Sequence, residues 1–297
     1  MSGLVAQTDY ADAQAQPGWS AELNCSFEPG PQRSIVRRTH TGPLYMQRPF
    51  YPEGSRAHVY LLHPPGGVVA GDHLRIKINC IDGAKGLVST PGATKFYRSE
   101  SDVARVDQRL VCENGSLEWL PAENIFYFGS QANLSTTLHL KGEATVAWWE
   151  INCLNERSCF NELNGGKPSG GKPGDDEPQP QGDIASIVEV YFDEKLTLRE
   201  RWVVNEQYPM SMSCGMRDNR VSGAMLFAPL QSHSVDFARK IIKHRPGFNA
   251  TFFDSMLLLR YLGDSSEDAK AGFTQVWSGL RTTLNKSKPQ TPRIWAT

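Results

Sequence analysis

Strict alternation over a short run closed by turn residues is the feature that most restricts this chain. Leu74, Ile76, Ile78 and Cys80 alternate with Arg75, Lys77 and Asn79, so an extended backbone sends the apolar set to one face and the polar set to the other. A half-buried β-strand satisfies that pattern, and a helix scatters it. Pro64-Pro65-Gly66-Gly67 precedes the run, fixing φ twice and then releasing it twice. Asp82-Gly83 and Pro91-Gly92 follow it and separate further short segments at 86–90 and 94–99.

The same rhythm runs through most of the sequence. Residues 18–38 read as a strand pair around Pro29-Gly30-Pro31, and 56–63 as a strand covered on both faces. Segments 105–113, 116–120, 124–128, 134–140 and 144–151 continue it, and 184–192 with 196–204 form a hairpin around Asp193-Glu194-Lys195. A strand every eight to twelve residues, roughly, argues for a sandwich, a barrel or stacked sheets over βαβ units. Near the C-terminus the pattern changes. Residues 252–262 are compact and apolar, and beyond Ser265 the residues Ala269, Phe273, Val276, Trp277, Leu280 and Leu284 share a 3.6-residue stripe. Ser265 or Ser266 can cap that helix, while Glu267 and Asp268 complement its positive end. The expected fold is all-β and finishes with two helices, the first from 252–262 and the second leading into Pro292-Arg293-Ile294-Trp295.

Residues 1–17 read as a flexible leader without the basic start and apolar run of a secretion signal, and 18–297 as a single domain. Within it, 164–182 has no large apolar residue to offset ordering entropy and is expected to be a disordered insertion. Lys plus Arg total 31 against 32 Asp plus Glu, so no long-range field favours nucleic acid or an anionic membrane. The longest apolar segment, 256–262, is interrupted by Arg260 and falls far short of the roughly 20 residues a membrane span needs. A soluble, cytoplasmic protein is expected, with its six scattered cysteines as buried free thiols.

The motif search yields no complete catalytic signature. Gly92-Ala93-Thr94-Lys95 lacks the spacing and the strand-to-helix context of a phosphate loop. His58 and His63 point to opposite faces of one strand and do not readily share a metal. Met210, Met212, Cys214 and Met216 would share a face if extended, which fits either a Cu(I) site or a soft packing surface.

Two blocks, HPPGGVVAGD at 63–72 and TPGATKFYRS at 90–99, resemble the urease accessory protein UreD family, also called UreH. GPLYMQRPFYPEG (42–54), LEWLPAENIFYFGSQA (117–132), WWEINCL (148–154) and PRIW (292–295) resemble it too, in the same order. The chain departs from the family pattern at Ala70, where a third glycine is more familiar. The resemblance implies a β-helix-like stacking of sheets and a non-catalytic nickel-insertion chaperone. Such a protein binds apo-urease and works with UreF and the GTPase UreG. It implies no tightly bound cofactor, only transient Ni(II).

Carboxylates inside the apolar family-like blocks are then the candidate nickel path: Asp72, Glu118, Glu123 and Glu150. Each could line a water-filled route, face solvent or pair with arginine. Glu150, after two tryptophans, is the first choice. Arg48, Tyr51, Lys95, Phe96, Tyr97 and Arg98 mix aromatic and cationic groups as interface centres do, and are the candidate partner surface. Two other readings stay open: a metal-dependent enzyme using His58, His63, His73 and carboxylates, and an assembly scaffold that never contacts nickel.

Overall fold

The computed structural model describes residues 18–99, 102–155, 182–285 and 288–296. The expected leader at 1–17 and nearly all of the expected insertion at 164–182 lie outside the described residues.

The chain begins with β1 (Ser20–Glu28), β2 (Ile35–Thr41), β3 (Tyr45–Met46), β4 (Ala57–Leu62), β5 (His73–Ile81) and β6 (Lys85–Ser89). It continues through β7 (Thr94–Phe96), β8 (Ala104–Glu113), β9 (Ser116–Trp119), β10 (Asn124–Tyr127), β11 (Gln131–Lys141) and β12 (Thr145–Asn155). The hairpin β13 (Asp183–Phe192) and β14 (Lys195–Val204) is followed by β15 (Val221–Ala228) and a helix, α1 (Ser234–Ile242). A second hairpin, β16 (Phe248–Phe253) and β17 (Met256–Gly263), leads into α2 (Ser266–Asn285) and a short 3-10 turn at Arg293–Ala296.

These strands build two large sheets. The seven-stranded sheet has the order β14-β13-β11-β8-β5-β1-β2, and the ten-stranded sheet carries β16-β17-β15-β12-β9-β6-β4-β3 with β10 and β7 at its side. From β5 to β12 the chain coils, placing each strand beside its parallel counterpart from the turn before. Leu74, Val106 and Leu134 stack in one sheet, Lys85, Ser116 and Thr145 in the other, and Thr94, Asn124 and Asn152 on the short side. This is the β-helix-like layering the family resemblance implies.

Parallel sheets are usually covered on both faces, yet β5 and β11 alternate between buried and accessible positions, and β8 does so except at Gln108, which is partly buried. Their outer face is solvated, and it carries cross-strand pairs such as Lys77–Glu22 at 3.0 Å. The second sheet differs. It lies between the first sheet and the helices, so β4 and β12 are buried on both faces and read as continuous apolar runs. Phe27, Ile78, Leu110 and Trp148 fill the space between the sheets, while Trp149, Phe273, Val276 and Trp277 fill the layer under the helices. The sheets approach closely at Gly86, where a Cβ would lie 2.7 Å from the Phe27 ring.

The C-terminal expectations hold in part. In α2, Ala269, Phe273, Val276, Trp277 and Leu280 are buried as the stripe requires, and Ser265 Oγ accepts from the Asp268 amide at 3.0 Å. Leu284, on the same stripe, is exposed. Residues 252–262 do not form a helix. Asp254 and Ser255 take φ of 43° and 63°, the two-residue turn that favours a hairpin, and Leu257, Leu258 and Leu259 form a strand buried from both sides. The other helix is α1, which buries Ser234, Ala238 and Ile242 and packs Val235, Phe237 and Ile241 against the same layer, an amphipathic pattern confined to nine residues. The Met210–Met216 stretch is a series of turns and not an extended stripe.

Candidate functional site

Two cavities occupy the space between the sheets. The first, about 270 Å³, opens beside the two family-like turns: His63, Pro64, Gly66 and Gly67 line one side, and Pro91 to Phe96 another. Leu74, Ile76, Val106 and Gln108 from the seven-stranded sheet form its floor. The second, about 830 Å³, lies where β13 and β14 diverge from β15 and β17, and the turn with Met212, Cys214 and Met216 closes part of it. Trp148 and Glu150 belong to the walls of both. They reach that position because β12 alternates, sending Trp148, Glu150 and Asn152 into the space between the sheets and Trp149 toward the helices.

Glu150 is buried, and its neighbours are neutral. Oε1 accepts from Asn152 Nδ2 at 2.7 Å and from Ser186 Oγ at 2.8 Å. Burial pushes its pKa above the ordinary carboxylate value, and these two hydrogen bonds oppose the shift only in part. Asn152 Oδ1 in turn accepts from Asn124 Nδ2 at 2.9 Å. Asn124 lines the first cavity and Ser186 the second, so a short polar chain crosses the wall that the two cavities share.

Two more polar groups lie in the first cavity's wall. Among the described residues, His63 Nε2 and Trp148 Nε1 are buried without a hydrogen-bond partner. Burial lowers the His63 pKa, with the nearby Asp72 opposing, which leaves a neutral imidazole beside the cavity at pH 7. The sequence reading placed His63 only in the enzyme alternative. Its side chain stands among the Pro/Gly turn residues, and that neighbourhood is the signal that could have tied it to the cavity.

The other three candidate carboxylates line neither cavity. Asp72 is a turn clamp, accepting from the Trp19 amide at 2.7 Å and the Val69 amide at 3.0 Å. Glu118 faces the helix layer, where Oε1 accepts from Arg281 and from Trp277 Nε1, and Arg56 lies 3.8 Å from Oε2. Arg281 also pairs with Glu53, which holds His58 at 3.0 Å. Glu123 faces Lys270 at 3.9 Å. The three histidines of the enzyme alternative stay apart: His58 is in this ion network, His63 is by the first cavity, and His73 meets Asp107 on the solvated face. Among the described residues, no three His, Cys, Asp or Glu side chains converge to hold a metal ion.

The six candidate interface residues divide between two places. Arg48 and Tyr51 belong to the loop between β3 and β4, where Tyr51 Oη donates to the Ser34 carbonyl at 2.8 Å and Arg33 lies 4.2 Å over the ring. Lys95 lines the first cavity, and exposed Tyr97 stacks on Tyr127 at 5.2 Å. Tyr97 also explains Gly67, since a Cβ there would lie 2.1 Å from its ring. Arg98 bridges to Ser130. Phe96 is fully buried on Phe126 at 4.7 Å and supports this rim from beneath.

The family model described as UreD urease accessory protein matches residues 20–296. The chain is 39% identical over 294 residues to a urease accessory protein UreD from Escherichia coli, covering 94% of this chain and 98% of that one. Its identity to proteins of the same name is 37% over 290 residues in Alcanivorax borkumensis and 34% over 283 residues in Klebsiella pneumoniae. Each alignment covers 94% of this chain, with 93% and 96% of the respective relatives.

Proposed function

Because the chain belongs to the UreD urease accessory protein family, we propose that it conducts Ni(II) through its own body to apo-urease, in a cytoplasmic assembly with UreF and the GTPase UreG, and performs no reaction itself. The observation that carries this reading is the wall of Trp148 and Glu150 common to two cavities, one opening beside the family-like turns and the other extending along β15 and β17.

The chemistry of the cargo sets the requirement. Ni(II) stands high in the Irving–Williams order with N and O ligands, and each tenfold gain in affinity costs about 1.4 kcal/mol to reverse at delivery. A conduit therefore works with few donors at any one point. Here Glu150 is the one carboxylate at the junction and His63 the one imidazole of the first cavity, with amide and hydroxyl oxygens between them, while Glu200 in the second cavity is already paired with Arg260. Glu150 supplies the one full negative charge at the junction, so its ionised form attracts the ion where the path is most enclosed.

Lys95, Tyr97 and Arg98 at the rim of the first cavity then meet a partner, and rigid Pro/Gly turns lose little entropy on docking. The test is co-expression of the chain with the urease subunits and the other accessory proteins. The Glu150→Gln chain should assemble normally yet lower the nickel content of matured urease severalfold. Unchanged loading by this variant would instead favour an assembly scaffold that never meets the ion.

A further inference from the structure

The seven-stranded sheet ends on one side at β2, and this edge is open. Among the described residues, no backbone hydrogen bond reaches Ile35–Thr41 from any element but β1. Such an edge is a template for another strand unless it is defended. The side chains around it are specific in sign. Arg33 precedes β2, Arg38 lies within it, and Arg48 sits in the loop that packs Tyr51 against the strand's start. None of the three has a carboxylate partner among the described residues, whereas Arg37 pairs with Glu28 at 2.8 Å. The whole chain carries a formal charge of −1, so this local excess of cations is not the general character of the protein. Ile35 is exposed at the start of β2, and toward its other end His40 meets the exposed Tyr45 ring edge-on at 5.4 Å.

The opposite edge of the same sheet is built differently. On β14, Arg199 pairs with Glu189 at 3.2 Å and Glu200 is held by Arg260, and a register shift lies between Val190 and Tyr191 in its pairing with β13. Two of its charges, Arg199 and Glu200, are answered within the chain, and the register shift makes its edge irregular. That is a defended edge.

We propose that β2 is a docking edge for an acidic, extended segment of a partner protein, which adds to the sheet as a further strand. Backbone pairing along Ile35–Thr41 supplies affinity, while Arg33, Arg38 and Arg48 select carboxylates and the exposed aromatic rings take alternate apolar side chains. The same cations discriminate against a second copy of this chain, since pairing two β2 edges sets arginine beside arginine. This inference does not need the nickel route, and its test reads no metal.

The experiment is hydrogen–deuterium exchange on the full chain with three probes: a heptapeptide alternating Glu and Val, its Lys and Val counterpart, and a single-stranded RNA oligonucleotide. At about ten times its dissociation constant, the acidic peptide should slow exchange in residues 35–41 roughly tenfold and leave residues 195–204 unchanged. Added salt should weaken that protection. The Arg33→Glu/Arg38→Glu/Arg48→Glu chain should lose it and gain protection from the basic peptide, with native exchange in β5 and β8 as proof of folding. If that variant does not fold, the salt dependence and the contrast between the two peptides on the native chain decide the matter. Equal protection by both peptides, protection at β14 as strong as at β2, protection by RNA alone, or none at all would overturn the proposal.

Discussion

Glu118 and Glu150 are both buried carboxylates on the ten-stranded sheet, and they face opposite layers. Glu118 on β9 points under the helices, where Arg281, Arg56 and Trp277 surround it. Glu150 on β12 points between the sheets, where its hydrogen-bond donors are the uncharged Asn152 and Ser186. The first is neutralised by guanidinium and ties α2 to the sheet. The second has only neutral hydrogen-bond donors in its cavity wall, a placement that costs stability whenever the group is ionised. Identical chemistry is tied into an ion network in one layer and meets only neutral hydrogen-bond donors in the other, and the neighbours decide which.

The comparison breaks most readily at Glu118. Glu118→Gln leaves Arg281 and Arg56 without their shared carboxylate, and should cost roughly 3 kcal/mol or more in chemical denaturation. A double-mutant cycle with Arg281→Met should recover part of that loss; additive effects would show that the pair is not coupled.

Glu150 should behave in the opposite sense. Its folded pKa is raised by burial, so the folded state favours the protonated acid more than the unfolded chain does. Stability from this group is greatest below the unfolded value and is lost as pH rises through the folded one. Glu150→Gln, which mimics the protonated form, should therefore raise the melting temperature at pH 8 and leave it nearly unchanged near pH 4. A lower melting temperature at pH 8 would mean that Glu150 is answered by a charge after all.

A smaller effect tests the second cavity. Trp202 Nε1 donates to Met216 Sδ at 3.2 Å, and Met216→Leu should forfeit about 1 kcal/mol with little change in volume. No measurable loss would reduce that contact to simple packing.

How much of this was readable beforehand follows from which face of each strand is wet. β5, β8, β11 and β13 have one solvated side, so their alternation announced them. The twofold burial of β17 hid its nature, because Leu257, Leu258 and Leu259 between two layers give no period, and a short apolar run reads equally as helix. The turn residues Asp254 and Ser255 were the available clue. α1 was missed although Val235, Ala238, Ile241 and Ile242 fall at helical spacing, because nine residues carry barely two turns of that period. Parallel pairing was not visible in strand rhythm at all; it came from family resemblance and is seen here in the registers.

The site was less legible. Four carboxylates in apolar surroundings look alike in a sequence, and only the partners distinguish them: backbone amides for Asp72, arginines for Glu118, Lys270 for Glu123, amide and hydroxyl for Glu150. Those partners arrive from remote segments such as α2 and β13. Likewise, Phe96 and Tyr97 are adjacent in sequence yet one is core and the other rim, since the stack of β7 on β10 turns them to opposite sides.

The coil of stacked strands also bears on how this molecule comes into being. Leu23 finds its lateral neighbour in Ile76, and every later turn of the coil rests on the one before it. Long-range pairings of this kind are slow to form, and half-made versions expose sticky rims while they wait. A member of an accessory-protein family built this way thus passes through a vulnerable youth of its own, when crowded or hurried synthesis favours clumping over completion.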